Sequence, residues 1–305
     1  MKTYNVNLQT AFPEGDAPTV LVLGYFDGVH KGHQAVLAEA RRLADKEQVR
    51  VSVLMFTRTP KLIFEPYHPS LLDQLTTPNR RLEKMAESGV DTCYMLDFTS
   101  QLACLSANDF ALFIASQLSL RAVVVGFDYH FGQGRNQGSE LAALLSVPVY
   151  EVAEVTDHHQ KISSTRIRQA LAEGQVAKIP PLLGESYAIE GLVVKGDSRG
   201  RTLGYPTANM ALLAPQYLPK DGVYVTEVVI NDTCHRAMTS IGENITFNGA
   251  DKRIETHIFD IEQALYGQVL TVRFLEYLRP MVRFDSIADL IAQLQEDEKQ
   301  ARNWS

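Results

Sequence analysis

Five short apolar runs, separated by helical patterns, restrict the fold of this chain more than any other feature of its first half. TVLVLG (19–24), VRVSVLMF (49–56), DTCYMLDF (91–98), RAVVVGF (121–127) and VPVYEV (147–152) are rich in β-branched residues. Between them, HQAVLAEARRLADK (33–46), PNRRLEKMAESG (78–89), SANDFALFIASQL (106–118) and SELAALLS (139–146) repeat apolar positions at helical spacing. A strand that is apolar on both faces needs cover on both, and alternating helices supply it. The pattern predicts a parallel sheet between two helical layers. Ligands of such sheets bind beyond the carboxyl ends of the strands.

The second half follows a different rule. YAIEGLVVKG (187–196), GVYVTEVVI (222–230), HRAMTSIG (235–242), RIETHIFDI (253–261) and QVLTVRFLEYL (268–278) read as strands with no clear helix between them. Several alternate, with Leu270, Val272 and Phe274 on one face and Thr271 and Arg273 on the other. This predicts an antiparallel sheet or small barrel. A terminal helix follows, with Ile287, Leu290, Ile291 and Leu294 at helical spacing after a cap at Asp285 or Ser286. The pattern changes near Pro180-Pro181, which cannot continue a helix. The expected domains are therefore 1–182 and 183–305, an α/β domain followed by a β domain.

Composition narrows the function classes. The formal net charge of −7 disfavours a broad nucleic-acid-binding face, which needs basic surface to neutralise phosphates. No apolar run approaches the ~18 residues of a membrane span, and the first fifteen residues lack the apolar core of a secretory signal. The three cysteines, Cys93, Cys104 and Cys234, are scattered, with no CxxC. They suit a reducing compartment, so the expected location is cytoplasmic, with no membrane and no nucleic acid as partner. The oligomeric state is left open.

The run TVLVLG leads into GYFDGVHKGH (24–33). Gly28 and Gly32 allow a sharp turn and close approach to a ligand. A helix beginning near His33 offers its N-terminal amides to an anion. His30 and His33 can donate hydrogen bonds to phosphate oxygens and stabilise charge that develops during transfer. KISSTRIRQAL (161–171) resembles another helix start, with hydroxyls at the cap and Arg166 and Arg168 after it. Taken alone it reads as an ordinary N-cap with solvated arginines. GFDYHFGQGRNQG (126–138) follows another strand and faces the same crevice, though alone it is a glycine-rich turn.

Together, GxFDGxHxGH, the FDYxFGxxRxxG loop and SSTRIR resemble the adenylyltransferase half of the prokaryotic bifunctional riboflavin kinase/FMN adenylyltransferases, or FAD synthetases. LTTPNRRLEKMAESGVD (75–91) also resembles the family's helix after a strand. The resemblance implies a Rossmann-like nucleotidylyltransferase sheet. It implies that His30 and His33 contact ATP phosphates and that Gly24, Phe26, Asp27 and Gly32 line the nucleotide site. Ser164, Thr165 and Arg168 hold the outer phosphates in that scheme, and Asp128 and Tyr129 lie near the flavin. The FMN phosphate then attacks the α-phosphate of ATP, giving FAD and pyrophosphate. Three departures from the family pattern stand out: Tyr25 for a common Asn, FTRTP (56–60) for F-x-P-x-P, and Phe127 for an acidic residue.

VVKGDSRGRTLGYPTANM (193–210) is the densest motif. Gly196, Gly200 and Gly204 make a pliable backbone suited to phosphates. Thr207 and Asn209, two apart, share a face of an extended segment, and their neutral oxygens suit a Mg²⁺ that keeps waters and bridges phosphates. No GxxxxGK[ST] occurs. The stretch resembles the G-R-x-L-G-Y-P-T-A-N motif of riboflavin kinases, followed in family order by DGVYVTEV, TSIGENITF, IETHIFD and YLRPMVRFDS.

By that resemblance Glu255 is the general base for the ribityl hydroxyl of riboflavin. Arg201 and Pro206 belong to the ATP loop, and Arg279 and Phe284 reach the flavin. His257 shares a face with Glu255 and reads as structural. Ser240 and Ile245 depart from the usual Asn and Pro. The expectation is ATP- and Mg²⁺-dependent conversion of riboflavin to FMN and of FMN to FAD. The alternatives are another nucleotidylyltransferase, or a flavin- or RNA-binding regulator that keeps the barrel as a sensor.

Overall fold

A computed structural model describes residues 1–196, 200, 203–231, 233–243, 252–261 and 263–304. Contacts divide the chain into two compact units, Met1–Ser164 and Thr165–Ser305.

The first unit is a six-stranded parallel sheet. Its strands are β1 (Lys2–Val6), β2 (Thr19–Gly24), β3 (Arg50–Phe56), β4 (Thr92–Leu96), β5 (Leu120–Gly126) and β6 (Val149–Val152). They lie in the order β1-β4-β3-β2-β5-β6. The crossovers carry α1 (Lys31–Glu47), α2 (Pro78–Glu87), α3 (Ala107–Gln117) and α4 (Gly138–Leu144). Alternation along β2 shows why both faces need cover. Val20 and Val22 join a core with Val36, Leu37 and Ala40 of α1. Leu21 and Leu23 join another with Phe110 and Ile114 of α3. Each such side chain contributes about 1.5–3 kcal/mol on burial.

The chain steps from β2 outward to β3 and β4, then crosses back to place β5 on the other side of β2. The β2/β5 border is therefore the switch point, where a crevice opens beyond the strand ends. The five apolar runs all became strands. The edge strand β1 was not anticipated. It is paired on one side only, with β4, and lacks the continuous apolar character of a central strand.

The second unit is a closed antiparallel barrel. Helix α5 (Ser164–Ala172) begins at the division between the units and leads to β7 (Ala188–Val194). The remaining strands are β8 (Ala208–Leu212), β9 (Gly222–Ile230), β10 (Thr233–Glu243), β11 (Lys252–Ile258) and β12 (Val269–Arg279). They close in the order β7-β8-β11-β10-β9-β12. β8 lies inside the glycine-rich motif, where Asn209 and Met210 already pair with β7.

Helix α6 (Ile287–Asn303) follows, capped by Ser286, whose side chain accepts from the Asp289 N–H. Leu294, Ala301 and Trp304 pack with Val225, Met238, Phe259 and Leu275 of the barrel unit. The expected stripe is half-buried at Leu290, Ile291 and Leu294 and continues through the buried Asp297 and Ala301, while Ile287 in the first turn is exposed. Within that face Arg279 reaches Asp297 through Nε and Nη2 at 2.7–3.0 Å, which pairs the buried carboxylate.

Candidate functional site

The first candidate site sits at the carboxyl ends of β2 and β5. Its loop is bent by left-handed residues: Phe26 (φ +58°), Gly28 (φ +87°) and Val29 (φ +45°). Non-glycine residues there store strain, and such residues cluster at functional sites. The turn drives the Phe26 ring back under the strand end, where a Cβ on Gly24 would meet it at 2.7 Å. Asp27 Oδ1 accepts from the Leu75 N–H at 2.8 Å, and Gly28 N–H donates to Thr76 Oγ1 at 2.8 Å. The buried Asp27 carboxylate thus anchors the loop to the segment preceding α2.

His30 is the N-cap of α1, three residues before the expected start of the helix. Its Nδ1 accepts from the His33 backbone N–H at 3.3 Å. A ring nitrogen that accepts carries no proton, so in the neutral ring the proton resides on Nε2. The His30 and His33 rings stack, centroids 3.7 Å apart and planes 14° from parallel, and Phe26 meets His33 edge-on at 5.1 Å. Gly32 permits this, since a Cβ there would lie 3.1 Å from the His30 ring.

Burial lowers the His30 pKa to about 4. His33 is held well below the ordinary imidazole value, first by burial, then by the charges of His30 and Arg81. Both imidazoles are neutral at pH 7. His33 Nδ1 is buried with no hydrogen-bond partner among the described residues.

Asp128 lies at the end of β5, paired with Lys161 at 2.5 Å. Lys161 also stands over the Phe127 ring at 4.4 Å. Tyr129 is half-buried, its ring beside Phe131, and packs against the α3-side core. Ser164 Oγ donates to the Asp27 carbonyl at 2.8 Å. Thr165 and Arg168 belong to the second unit, where Arg168 stands over the Tyr217 ring at 5.6 Å.

One residue of this site was missed. Arg81 of α2 is buried, and its guanidinium binds the carbonyls of Tyr25, Phe56 and Thr57 at 2.9–3.3 Å. The available signal was helical spacing: Arg81 lies one turn before Met85, on the buried face of α2.

The second candidate site is on the outer face of the barrel. Along β11, Ile254, Thr256 and Ile258 are buried while Arg253, Glu255 and His257 are half-exposed. Pairing sets Glu255 opposite Asn209 on one side and Ser240 on the other. Ser240 in turn opposes Val223, and Val223 opposes Arg279. One circumferential rung therefore joins Asn209, Glu255 and Ser240, with Thr207 two residues from Asn209.

The glycines have separate tasks. A Cβ on Gly196 would overlap the Asn209 amide, and one on Gly200 would overlap the Tyr205 carbonyl. Gly204 takes φ +82°. His257 Nδ1 pairs with the Pro206 carbonyl at 2.7 Å, so the ring donates and pins the turn before Thr207. Beside Pro206 and Thr207 opens a cleft of mixed character lined by Val193, Thr256, Ile258, Gln263, Leu265 and Tyr266, none of them singled out from sequence. Arg279 is committed to Asp297, and Phe284 lies 5.8 Å from its guanidinium. Arg201 and Ile245 fall outside the described residues. Among the described residues, no cluster of three or more His, Cys, Asp or Glu could hold a metal ion, and no helix is long and apolar enough to cross a membrane.

Comparison with known proteins assigns each half separately. Residues 12–166 match the FAD synthetase family model, and residues 183–305 match the riboflavin kinase model. A bifunctional riboflavin kinase/FMN adenylyltransferase of Listeria monocytogenes is 38% identical, over 94% of this chain and 92% of that protein. The protein of that name from Escherichia coli K12 is 34% identical, over 98% and 95%. A solved structure described as a macrolide-efflux protein from Streptococcus pneumoniae is 42% identical over the whole of both chains, with a TM-score of 0.93. Full-length identity at this level, with one model on each half, means that the chain belongs to the bifunctional riboflavin kinase/FMN adenylyltransferase family.

Proposed function

We propose that the chain makes both flavin cofactors in sequence: the barrel phosphorylates riboflavin to FMN, and the parallel-sheet unit adenylylates FMN to FAD. ATP is the phosphoryl donor in the first step and the adenylyl donor in the second. The observation that carries the kinase half is the register that sets Glu255 directly opposite Asn209.

Glu255 accepts the proton of the riboflavin 5′-hydroxyl as that oxygen attacks the γ-phosphate. Such help is worth roughly 10²–10⁴-fold, and positioning supplies much of the rest. Thr207 and Asn209 offer neutral oxygens on the Glu255 face, a donor set that fits Mg²⁺, which neutralises phosphate charge when bound. Gly196, Gly200, Arg201, Gly204 and Pro206 form the loop that wraps the phosphates. The cleft beside Thr207 accepts the adenine base. Phe284, steadied by Arg279, borders the flavin.

In the adenylyl-transfer site, His30 Nε2–H donates to a phosphate oxygen. The Lys31 and Gly32 amides at the mouth of α1 add further donors. Gly24, Phe26 and Asp27 shape the pocket. Ser164, Thr165 and Arg168 take the pyrophosphate side, and Asp128 and Tyr129 take the flavin side. No covalent intermediate is required, because in-line placement and charge stabilisation carry the reaction. The functional boundary is set at residue 183. The cysteines stay reduced and the enzyme works in the cytoplasm.

The test is chromatography of flavins after mixing the protein with riboflavin, ATP and Mg²⁺. FMN appearing first and FAD after it is the expected course. Bound riboflavin with no product would instead favour a flavin sensor.

A further inference from the structure

Arg81 is a charged side chain with no exposed surface, a condition that costs several kcal/mol unless something compensates it. Its compensation is unusual. No carboxylate lies within ion-pair distance among the described interactions. The guanidinium faces three carbonyl oxygens, Tyr25 O at 2.9 Å, Phe56 O at 3.3 Å and Thr57 O at 3.1 Å. The Tyr25 ring lies 5.2 Å from its centre. Nε is buried without a hydrogen-bond partner among the described residues.

Those carbonyls come from two chain segments. Tyr25 follows the last residue of β2 and opens the strained loop, while Phe56 ends β3 and opens FTRTP, with Thr57 next. A third segment, the helix that carries Arg81, is tied to the same loop through Asp27 with Leu75 and Gly28 with Thr76. One side chain thus fixes the spacing of the two strand ends that border the histidine pair. The same charge acts on His33.

We infer that Arg81 is a positioning residue for adenylyl transfer, one that clamps the ends of β2 and β3 and holds a fixed positive charge near His33. This rests on the adenylyltransferase reading above. The groups around the imidazole pair are Phe26, whose ring meets His33, Arg81 from α2, whose charge acts on His33, and Asp128 and Lys161, whose charges act on His30. Of these, Arg81 is the buried cation. Burial is the first cause that keeps both imidazoles neutral, and the Arg81 charge adds to it at His33 while favouring a polyphosphate. Lysine is a poor substitute, because a single ammonium cannot present the planar fork that spans three carbonyls.

The experiment uses full-length protein, FMN, ATP and Mg²⁺, with Arg81→Met and Arg81→Lys. Riboflavin phosphorylation in the same preparation checks the second unit. Thermal unfolding checks that the first unit is folded. FAD formation in Arg81→Met is expected to fall at least about tenfold, since misplacement by ~1 Å can cost as much as ~10²-fold. The loss should fall on both KM for ATP and kcat.

The decisive readout is the His33 imidazole titration by NMR, its resonance identified by loss in His33→Gln. In Arg81→Met it moves to higher pH. In Arg81→Lys it stays near the wild-type position while the rate still falls. An unmoved His33 titration in folded Arg81→Met, or wild-type FAD formation, overturns the inference. If Arg81→Met does not fold, Arg81→Lys decides: wild-type rate and KM would sink the clamp. Wild-type protein that makes no FAD from FMN would instead overturn the adenylyltransferase reading itself.

Discussion

As proposed, the two sites would meet the same polyanion with opposite chemistry. The parallel-sheet site offers donors: His30, the first-turn amides of α1 and, nearby, the buried charge of Arg81. The barrel site is made of acceptors: the Thr207 hydroxyl, the Asn209 amide oxygen and the Glu255 carboxylate along one face. Backbone geometry differs in parallel. The first site bends its loop with left-handed Phe26, Gly28 and Val29. The second folds its loop so closely on itself and on Asn209 that Gly196 and Gly200 have no room for a Cβ. A site of donors can meet phosphate directly. A site of oxygens needs a cation between itself and phosphate. Two units folded on different principles therefore arrive at separate solutions for ATP.

The largest effect should come from removing each site's own chemistry. Glu255→Gln keeps the shape of the rung and loses the base. It should cut FMN formation by roughly 10²–10⁴-fold while FAD synthesis from supplied FMN continues. His30→Ala should reverse that result. Chromatographic assays of the two half-reactions check both. Loss of both activities in either variant would break the separation of the sites.

Much of this arrangement was legible in sequence, and the gaps have physical causes. Continuous apolar strands announced the parallel sheet because burial on both faces leaves no alternation to interpret. The spacing of Thr207 and Asn209, and of Glu255 and His257, was legible because side chains alternate along a strand. The opposition of Asn209 and Glu255 was not, because register is set by pairing between segments far apart in sequence. Arg81 hid in a helix with many charges: Arg80 pairs with Glu83 and Glu87 at the surface, and its neighbour turns inward. The pairing of Arg279 with Asp297 was not legible either, because only the fold brings the end of β12 against the last helix.

The next effect concerns stability and falls on the first unit. His30 has a folded pKa of about 4 against an ordinary value of 6.5. Between those values the unfolded chain binds more protons than the folded one, so stability rises with pH across the window. Lowering the pH from 6.5 to 4 should therefore destabilise the first unit by about 3 kcal/mol through His30 alone. Urea unfolding at pH 7 and pH 4.5 tests this. The acid loss in the first-unit transition should shrink in His30→Asn, and an equal loss in wild type and variant would refute the assignment.

Glycine substitutions give smaller effects that sharpen the same contrast. Gly196→Ala drives a Cβ into the Asn209 amide, and overpacking of this kind typically costs about 1–3 kcal/mol. The distortion falls on a proposed metal-binding oxygen, so FMN formation should drop and more Mg²⁺ should be needed for half-maximal rate. Gly32→Ala makes only a 3.1 Å contact with the His30 ring, which can give by a few tenths of an ångström. It should weaken FAD formation less than Gly196→Ala weakens FMN formation. The reverse order would mean that the imidazole stack tolerates less displacement than the metal-facing amide.

The smallest effect is a fraction of a proton. With His30 and His33 both neutral at pH 7, ATP meets uncharged rings, and four phosphate charges close by favour the imidazolium form. ATP binding to the first unit should therefore be accompanied by proton uptake that grows as pH falls from 7 toward 5, and affinity should rise in the same direction. Calorimetry at pH 5.5 in buffers of different ionisation enthalpy measures that uptake, and Glu255→Gln protein is suited to it because turnover at the barrel is blocked. His30→Asn should remove most of the signal. The barrel offers oxygens rather than imidazoles to phosphate, so what uptake is left without His30 should belong to His33. An uptake unchanged in His30→Asn would mean that another group near the phosphates takes the proton, and the division between a donor site and an acceptor site would then be incomplete.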